Sequence, residues 1–216
     1  MDGIELIIKH FPELTERQRG QFAVMGELYP EWNAKINVIS RKDIDNLFPL
    51  HILHSLAIAK WLGPLEAGTT FMDLGTGGGF PGIPLAVMYP DCRFHLVDRV
   101  AKKLRVAADV AEKAGIKNVT FQHGDVGECH EKFDYVVSRA VMPLDKLVKL
   151  VVRNIAPKSP AANLYSNGLV CLKGGDLEAE SAAVSYPVVE FDLNEFMPEP
   201  FFDTKKLIYV PISKSK

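Results

Sequence analysis

The 216-residue chain carries 25 Lys and Arg residues against 27 Asp and Glu residues, which gives a formal net charge of −2. This balance excludes a protein that binds nucleic acid over its whole surface, although it allows a local basic face. The sequence lacks an apolar run of the roughly 18 residues that a membrane-spanning helix needs, and it shows no signal-peptide pattern. Its three cysteines are widely separated, which indicates a reducing compartment and argues against a disulfide framework or a zinc site. We therefore expect a cytoplasmic protein without a bound metal.

Residues 1–65 show helical patterns and no strand pattern. Leu14, Phe22, Met25 and Leu28 recur at spacings that fit a helical face, and a second helical segment ends at Gly63. We predict an N-terminal helical cap over residues 1–65, followed by one compact core over residues 66–216.

From residue 69 onward, short apolar runs alternate with helical stretches. Five of these runs are predicted strands: TTFMDL, CRFHLVD, NVTFQHGD, KFDYVVSRA and NGLVCLKGG. Helices are predicted over residues 82–89, 101–115 and 143–155. Two late strands, YPVVEFDL and KKLIYVPIS, follow without a strong helical pattern between them. The stretch APKSPAANLYSNG before the fifth strand is predicted to be a mobile loop.

This alternation predicts an α/β fold, in which a mostly parallel sheet carries helices on both faces and an antiparallel edge strand near the C-terminus. In such sheets, ligands bind outside the carboxyl ends of the strands. Residues that directly follow the predicted strands are therefore the candidates for a functional site.

A glycine-rich loop, DLGTGGGFPG, directly follows the first predicted strand. Gly75, Gly77 and Gly79 are spaced two residues apart, which suits a chain that turns sharply or touches a ligand through bare backbone. The loop also contains the G-x-G-x-x-G spacing of dinucleotide-binding proteins, a match that is weak alone. Pro81 and Pro84 lack N–H groups that a pyrophosphate would use. The loop therefore favours a phosphate-free ligand such as S-adenosylmethionine, and a dinucleotide stays an alternative.

Acidic residues follow the next two predicted strands. Asp98 ends the second strand, where an acid can accept hydrogen bonds from both hydroxyls of a ribose. Asp125 follows the third strand, where it could accept from the amino group of an adenine. Both acids also have ordinary structural interpretations: Asp98 could cap the next helix, and HGDVGE around Asp125 could be a solvated turn.

Several prolines and a Ser-Arg-Ala triplet distinguish this chain from a general methyltransferase pattern. The stretch GFPGIPLA follows the first strand, and SRAV stands at the end of the fourth. With these motifs the chain resembles the GidB/RsmG family in four stretches: DLGTGGGFPGIPLAV, LVDRVAKKLRV, FDYVVSRAVMPLDKLV and NGLVCLKGGDL. The resemblance implies a Rossmann-like class I S-adenosylmethionine-dependent methyltransferase that methylates N7 of a guanine in 16S rRNA.

The resemblance also implies where the cofactor binds: the glycine loop, the acid that ends the second strand, the loop after the third strand and the arginine of the Ser-Arg-Ala motif. The predicted cofactor-binding residues are Gly75, Gly77, Phe80, Asp98, Val126, Gly127 and Arg139. His51 matches a family histidine, and we interpret it as a core residue. His54 stands where many relatives carry an acid, and it is assigned no role.

Methyl transfer to N7 of guanine needs no general base, because this nitrogen carries an in-plane lone pair and no proton. Positioning and electrostatics can then supply the catalysis. We assign no catalytic residue, and the one candidate is Arg139 at the end of the fourth strand. A guanidinium there could pair with a carboxylate or phosphate, or stack on a base.

The implied partner is 16S rRNA in the small ribosomal subunit or in an assembly intermediate, and we expect a monomer. Because the net charge is near zero, local basic groups must supply the RNA contacts, although each could equally be a solvated helix face. The candidates are Lys35, Arg41, Lys42, Arg99, Lys102, Lys103, Arg105, Lys146, Lys149, Arg153 and Lys173.

Three other functions stay open on the sequence. The fold could methylate a small molecule or a protein. The glycine loop could serve an NAD-dependent oxidoreductase, which the lack of a Tyr-x-x-x-Lys pair disfavours. The chain could also bind RNA without catalysis, which the intact glycine loop disfavours.

Overall fold

The computed structural model describes residues 3–212 except Ala140, Ser159 and Ala161. Within these residues, seven strands form one sheet in the spatial order β3-β2-β1-β4-β5-β7-β6. The strands are β1 Thr70–Leu74, β2 Arg93–Asp98, β3 Val119–His123, β4 Tyr135–Arg139, β5 Gly168–Gly174, β6 Val189–Asp192 and β7 Lys205–Pro211. The helices are α1 Ile4–His10, α2 Glu16–Asn33, α3 His54–Leu62, α4 Gly82–Met88, α5 Ala101–Lys113, α6 Leu144–Val151 and α7 Glu178–Ala182.

The sheet separates two clusters of buried apolar side chains. Alternate residues of a strand point to opposite faces, and in β4 Tyr135 and Val137 join one cluster while Val136 joins the other. The larger cluster contains apolar residues of α1 to α5, and the smaller contains those of α6. The predicted α/β fold with helices on both faces is therefore confirmed.

The C-terminal part of the sheet confirms the two late strands and the antiparallel edge predicted from the sequence. Strands β1 to β5 pair in parallel, whereas β7 pairs antiparallel with both β5 and β6. The antiparallel part thus consists of two strands, β6 and β7. The last strand of the chain, β7, lies between β5 and β6, so β6 forms the edge of the sheet. Helix α7, which the sequence analysis did not predict, connects β5 to β6.

Local signals fix several helix boundaries. Thr15 and Gln18 form a capping box at the start of α2, in which each side chain bonds the backbone N–H of the other. Pro143 immediately precedes α6, which suits a residue without an N–H group. The helix predicted over residues 143–155 ends earlier, at Val151, and continues as a 3-10 turn over Val152–Asn154.

The N-terminal helices pack directly on the sheet-covering helices. Helix α2 contacts α5, and α3 contacts α4. Between α2 and α3 the chain forms a 3-10 turn at Ile44–Asn46 and a π-helical segment at Phe48–Leu53. The division into a cap over residues 1–65 and a core over residues 66–216 stays a prediction.

The segment before β5 is built of turns rather than regular elements in its described part. The Asn163 side chain accepts a hydrogen bond from Glu66 N (2.8 Å) and donates one to Thr69 Oγ1 (3.2 Å). Ser159 and Ala161 lie outside the described residues, and the mobility of this loop stays a prediction. In the described part of the chain, the helices are too short or too polar for any of them to cross a membrane.

Gly168 at the start of β5 is expected to be irreplaceable, because an added Cβ would collide with the carbonyl oxygen of Val210 in β7. Backbone atoms in a sheet cannot move aside cheaply, so Gly168→Ala should lower the free energy of unfolding by about 2 kcal/mol in urea titration. Gly20→Ala is the matched control, since this exposed helical glycine in α2 has open space around it. We expect this control to raise the free energy of unfolding by up to about 1 kcal/mol. Equal effects of the two substitutions would contradict the β5–β7 contact.

Candidate functional site

The glycine loop between β1 and α4 adopts a backbone shape that other residues would strain. The φ angles of Gly75, Gly77 and Gly79 are +70°, +56° and +104°, in the left-handed region that favours glycine. A Cβ at Gly79 would also lie 2.5 Å from the side chain of Ile83. The fold itself thus requires bare backbone here, whether or not a ligand is bound.

Most of the amides in this loop are already used inside the protein. Two donate to the Val97 carbonyl, two to the Thr76 carbonyl, one to the Asp98 carboxylate and one to the Asp73 carboxylate. The six donors are Gly75, Thr76, Gly77, Gly79, Phe80 and Gly82. Since a pyrophosphate needs several free N–H groups at such a loop, this arrangement favours a ligand without phosphate.

Asp73, in β1, bonds two residues of the glycine loop. Its buried carboxylate accepts from the Thr76 hydroxyl (2.6 Å) and from Gly82 N (2.8 Å) through the same oxygen, Oδ2. The other oxygen, Oδ1, is buried without a hydrogen-bond partner among the described residues. Burial raises the pKa of this carboxyl to about 7, against the smaller opposite effect of its hydrogen bonds.

Asp98 lies beside the loop at the end of β2. Its Oδ2 accepts from Gly77 N (2.7 Å), and its Oδ1 accepts from Val100 N (2.8 Å) just before α5. The N-cap residue of α5 is Val100, and the helix has no side-chain cap, so Asp98 bonds the residue before the helix rather than capping it. Each oxygen retains a second lone pair, so the carboxylate can also accept from a ligand.

A cavity of about 180 Å³ opens at the carboxyl ends of β1, β2 and β3. Its lining residues are Leu74, Gly75, Val97, Asp98, Arg99, Gly124, Val126, Val141, Met142 and Leu150. This volume is below the roughly 300–1,000 Å³ of typical ligand pockets. Val141 narrows the cavity, since its Cγ1 lies 2.6 Å from the position of a Cβ on Gly75. A nucleoside-sized ligand therefore requires the Val141 side chain to move.

A larger cavity of about 610 Å³ lies between α2 and the segment 41–49. Its lining contains none of the predicted cofactor-binding residues and no strand residue, although Arg41, a predicted RNA contact, belongs to it. We therefore take the smaller cavity as the candidate site.

The loop after β3 is fixed by Asp125. This carboxylate accepts from Gly127 N (2.6 Å) and pairs with Arg99, and these two interactions hold its pKa below the usual range. Val126 is buried and lines the cavity, whereas Gly127 does not. Because its carboxylate is bound within the loop, Asp125 serves the turn in this structure.

Phe80 and Arg139 contact each other rather than the cavity. The Arg139 guanidinium lies 5.3 Å from the centre of the Phe80 ring, and the Phe80 ring packs on Tyr29 with centres 4.7 Å apart. The Tyr29 hydroxyl donates to the carbonyl of Gly78 (2.7 Å), so α2 supports the glycine loop directly. The cofactor contacts predicted for Phe80 and Arg139 stay predictions, and Ala140 of the same motif lies outside the described residues.

Arg139 is held by neutral groups only. It donates to His51 Nδ1 (3.0 Å) and to the Leu50 carbonyl (3.4 Å), and it forms no ion pair with any carboxylate that the structure describes. Burial lowers the pKa of Arg139 to about 10, which leaves it charged at neutral pH. The site thus contains a largely desolvated cation without an anionic partner.

The two histidines near Arg139 are neutral. Burial, followed by the charge of Arg139, lowers the pKa of both His51 and His54 to about 3. Since His51 Nδ1 accepts from Arg139, its proton is on Nε2, which is buried without a partner among the described residues. His51 is therefore partly buried with one ring nitrogen bonded, and its interpretation as a core residue stays a prediction. His54 packs on Phe202, with ring centres 5.7 Å apart.

Two of the three cysteines have strongly perturbed thiols. Burial raises the pKa of the Cys92 and Cys171 thiols to about 12, so neither is a thiolate at neutral pH. Among the residues with described positions, no three His, Cys, Asp or Glu side chains come together as metal ligands.

Sequence reasoning missed three features of the site. Asp73 had a detectable signal, since an acid ends the first strand just before the glycines. Tyr29 and Val141 had none, because each reaches the glycine loop from a distant part of the chain.

The comparisons with known proteins identify the family. Residues 20–180 match the family model GidB, described as rRNA small subunit methyltransferase G. The chain belongs to the GidB family. The ribosomal RNA small subunit methyltransferase G of Bacteroides fragilis (strain YCH46) is 56% identical over 98% of this chain and 93% of that protein. The protein of the same description from Porphyromonas gingivalis is 50% identical over 97% of this chain and 94% of its own length.

Solved structures confirm the fold of this GidB family member. A SAM dependent methyltransferase from Aquifex aeolicus aligns with a TM-score of 0.55 at 17% identity, over 80% of this chain and 98% of that chain. A mutant of MtNAS in complex with S-adenosylmethionine aligns with a TM-score of 0.56 at 16% identity, over 86% of this chain and 72% of that chain. The predictions of a class I methyltransferase fold and of a small-subunit rRNA methyltransferase are confirmed.

Asp73 should make the stability of the protein depend on pH. Because its folded-state pKa is about 7 and an unfolded aspartate titrates near pH 4, the folded chain holds a proton that the unfolded chain releases in this interval. The stability from this group is present at low pH and is lost as the pH rises toward about 7. Asp73→Asn removes the titration and keeps an acceptor for Gly82 N–H. In urea titrations, the wild-type free energy of unfolding minus that of the variant should therefore fall from about pH 4 to about pH 7.

Asp145→Asn provides the control. Lys149 holds the pKa of Asp145 below its usual range, so this carboxylate stabilises the fold above the unfolded pKa. Its difference curve should change only below about pH 4, and stability should be lost as the pH falls. A flat difference curve for Asp73→Asn would show that the carboxyl is not perturbed.

Proposed function

We propose that the cavity at the ends of β1, β2 and β3 binds S-adenosylmethionine and that the protein transfers its methyl group to N7 of a guanine in 16S rRNA. The observation that carries the cofactor assignment is the use of the loop amides. Six of them are bonded inside the protein, and Pro81 and Pro84 have none. A dinucleotide would find few free amides for its pyrophosphate. An adenosine-bearing sulfonium needs only an acid for the ribose and an apolar wall for the adenine, and Asp98 and Val126 supply these.

The cavity residues divide the recognition of such a ligand among themselves. Asp98 accepts from the ribose hydroxyls, as acids at the end of the second strand do in this class of sheet. Val126 supplies a buried apolar wall for the adenine, and the backbone of Gly127 follows it. Gly75 carries no side chain at the end of β1, so the space there depends on the position of Val141. Gly77 acts through Asp98, whose carboxylate it orients (2.7 Å).

Arg139 and Phe80 contact each other and are not among the residues that line the cavity. Their contact at 5.3 Å and the neutral partners of Arg139 leave its charge available to an anionic group. A carboxylate of the cofactor or a phosphate of the RNA fits this position.

The reaction needs positioning more than acid–base chemistry. S-adenosylmethionine, when bound, supplies a methyl group that is already electrophilic on a sulfonium. Guanine N7 has a free lone pair, so no residue of the chain has to remove a proton before attack. The contribution of this chain is to orient the two reactants and exclude water, which can account for several kcal/mol of a barrier.

The proposed reaction is tested with purified protein, S-adenosylmethionine and 30S subunits from a strain that lacks the gene. Mass spectrometry of the rRNA nucleosides should show 7-methylguanosine only when active protein is added, with heat-inactivated protein as the control. Methylation of a different nucleoside, or of protein alone, would overturn the proposal.

Asp98→Ala is expected to weaken binding of S-adenosylhomocysteine by about tenfold to a hundredfold, because hydrogen bonds to a charged group contribute about 1.5–3 kcal/mol. Isothermal titration calorimetry measures the dissociation constant, and circular dichroism checks that the variant is folded. The matched control is Asp91→Ala, an exposed acid just before the start of β2, which should bind like the wild type. Equal affinities for all three proteins would remove Asp98 from the site.

A further inference from the structure

Positive charge is concentrated in two segments of the chain. Residues 34–42 and 99–108 together contain seven of the 25 Lys and Arg residues and none of the 27 Asp and Glu residues. The rest of the chain is therefore clearly acidic. The seven residues, here called the basic rim, are Lys35, Arg41, Lys42, Arg99, Lys102, Lys103 and Arg105.

The structure brings these two segments together around the glycine loop. The Val38 side chain lies against Gly78, where an added Cβ would approach it to 3.0 Å. From the other segment, Lys103 lies near Gly77, with its Cδ 3.9 Å from the position of a Cβ there. Asn33 fixes the first segment, because its side chain accepts from the N–H groups of Val38 and Ile39 (both 2.9 Å).

Two further rim residues lie on the side of α5 that faces α2. Lys102, Arg105 and Asp109 are three and four residues apart, so they share one side of the helix. This side of α5 faces α2, because the Asp109 carboxylate accepts a hydrogen bond from the Trp32 indole of α2 (2.7 Å). The rim thus combines cations from the segment that follows α2 with cations around the start of α5, and both segments contact the glycine loop.

Most rim cations have no ion-pair partner among the described residues, a state that they share with Lys117, Lys146 and Lys158. Five other lysines each pair with a carboxylate at 2.5–3.2 Å: Lys9, Lys113, Lys149, Lys173 and Lys206. Within the rim, only Arg99 pairs with a carboxylate in the described part of the chain. All seven rim side chains except the half-buried Lys103 are exposed. Apart from Arg99, the rim cations form no ion pair in the described part of the chain, and the charge of Asp109 acts on Lys35 without direct contact.

We propose that the basic rim binds phosphates of the RNA strand that carries the target guanine. This inference rests on the proposed function, since it supplies the RNA-binding surface for the same site. Arg99 belongs both to the rim and to the cavity lining, so a strand held on the rim passes the mouth of the cavity. Unpaired, exposed Lys and Arg are the groups that bind a phosphate backbone.

A phosphate strand fits the rim better than a membrane does. Charge alone attracts a basic surface to anionic lipids, and peripheral anchors add apolar side chains that insert between the lipids. The exposed large apolar side chains in the described residues are Val100, Val141, Leu164, Tyr186 and Val189, and only Val100 lies within the rim. The rim therefore offers charge with almost no apolar surface for insertion.

An ion pair within the protein argues against one of the RNA contacts predicted from the sequence, Lys173. Lys173 is buried, donates to the Met142 carbonyl (2.9 Å) and pairs with Glu180 (2.7 Å). Its amine is used within the protein, so the predicted RNA contact does not fit its position. Lys149 pairs with Asp145, and Arg153 donates to the Val126 carbonyl, which leaves both less available than the rim.

The test compares double variants with equal loss of charge. Lys102→Ala/Arg105→Ala and Arg41→Ala/Lys42→Ala remove two rim charges each. Lys117→Ala/Lys158→Ala is the control. Lys117 and Lys158 are exposed and have no ion-pair partner in the described part of the chain. They precede β3 and β5, on the side of the sheet where the strands begin, whereas the cavity lies where the strands end. The probe is full-length 16S rRNA transcribed in vitro, titrated at several KCl concentrations.

Each rim variant should bind this RNA more than about tenfold more weakly at 0.1 M KCl, and the slope of log Kd against log salt should fall by about 1.5. The control variant should keep the wild-type slope. Binding of S-adenosylhomocysteine by calorimetry should be unchanged in all variants, which shows that the cavity is intact. Slopes that do not differ between rim and control variants would overturn the proposal.

Vesicles that contain phosphatidylserine provide a second arm. If the rim variants lose vesicle binding and keep RNA binding, the rim is a membrane surface and the proposal is wrong. Failure of the proposed function has a different signature: wild-type protein that binds no S-adenosylhomocysteine and methylates no rRNA. The RNA salt slopes still decide the role of the rim in that case.

Discussion

The candidate site depends on one buried carboxylate. Asp73 Oδ2 bonds the Thr76 hydroxyl near the start of the glycine loop and the Gly82 amide at its end, so a single oxygen closes the loop on itself. A side chain at Gly82 would lie 2.8 Å from that oxygen, which explains why the closing residue is a glycine. The desolvated charge is costly, and the raised pKa of Asp73 reflects that cost. This closure holds the two ends of the loop together, while Asp98 and the carbonyls of Val97 and Thr76 bond the other amides.

Closure of the loop also selects the ligand chemistry. Amides that bond Asp73, Asp98 and nearby carbonyls cannot at the same time hold a pyrophosphate. At the carboxyl ends of the strands, Asp98 then offers unused lone pairs beside an apolar wall. These two features suit a nucleoside. The reaction of the GidB family is compatible with such a site, because methyl transfer to an unprotonated ring nitrogen asks the protein for geometry rather than for a base.

Sequence patterns predicted the parallel strands well because their signals are local. Each apolar run, each glycine stop and each strand-terminal acid lies within a few residues of the feature that it marks, as at Asp98 and Gly75. The prediction was poorer near the C-terminus. The position of β7 between β5 and β6 depends on a pairing of strands about 40 residues apart in sequence, which leaves no local pattern.

By itself, the sequence determined the type of fold, the loop that would form the site and the acids beside it, since these follow from periodicity and from the backbone preferences of glycine. Only the tertiary structure decided which side chains and amides of the site are bonded to other groups of the protein. Phe80 and Arg139 belong to the same motifs as the cavity residues, yet they pack with Tyr29 and His51. The sequence could not show this arrangement, because hydrogen bonds and ring contacts join segments that are distant along the chain and depend on side-chain direction.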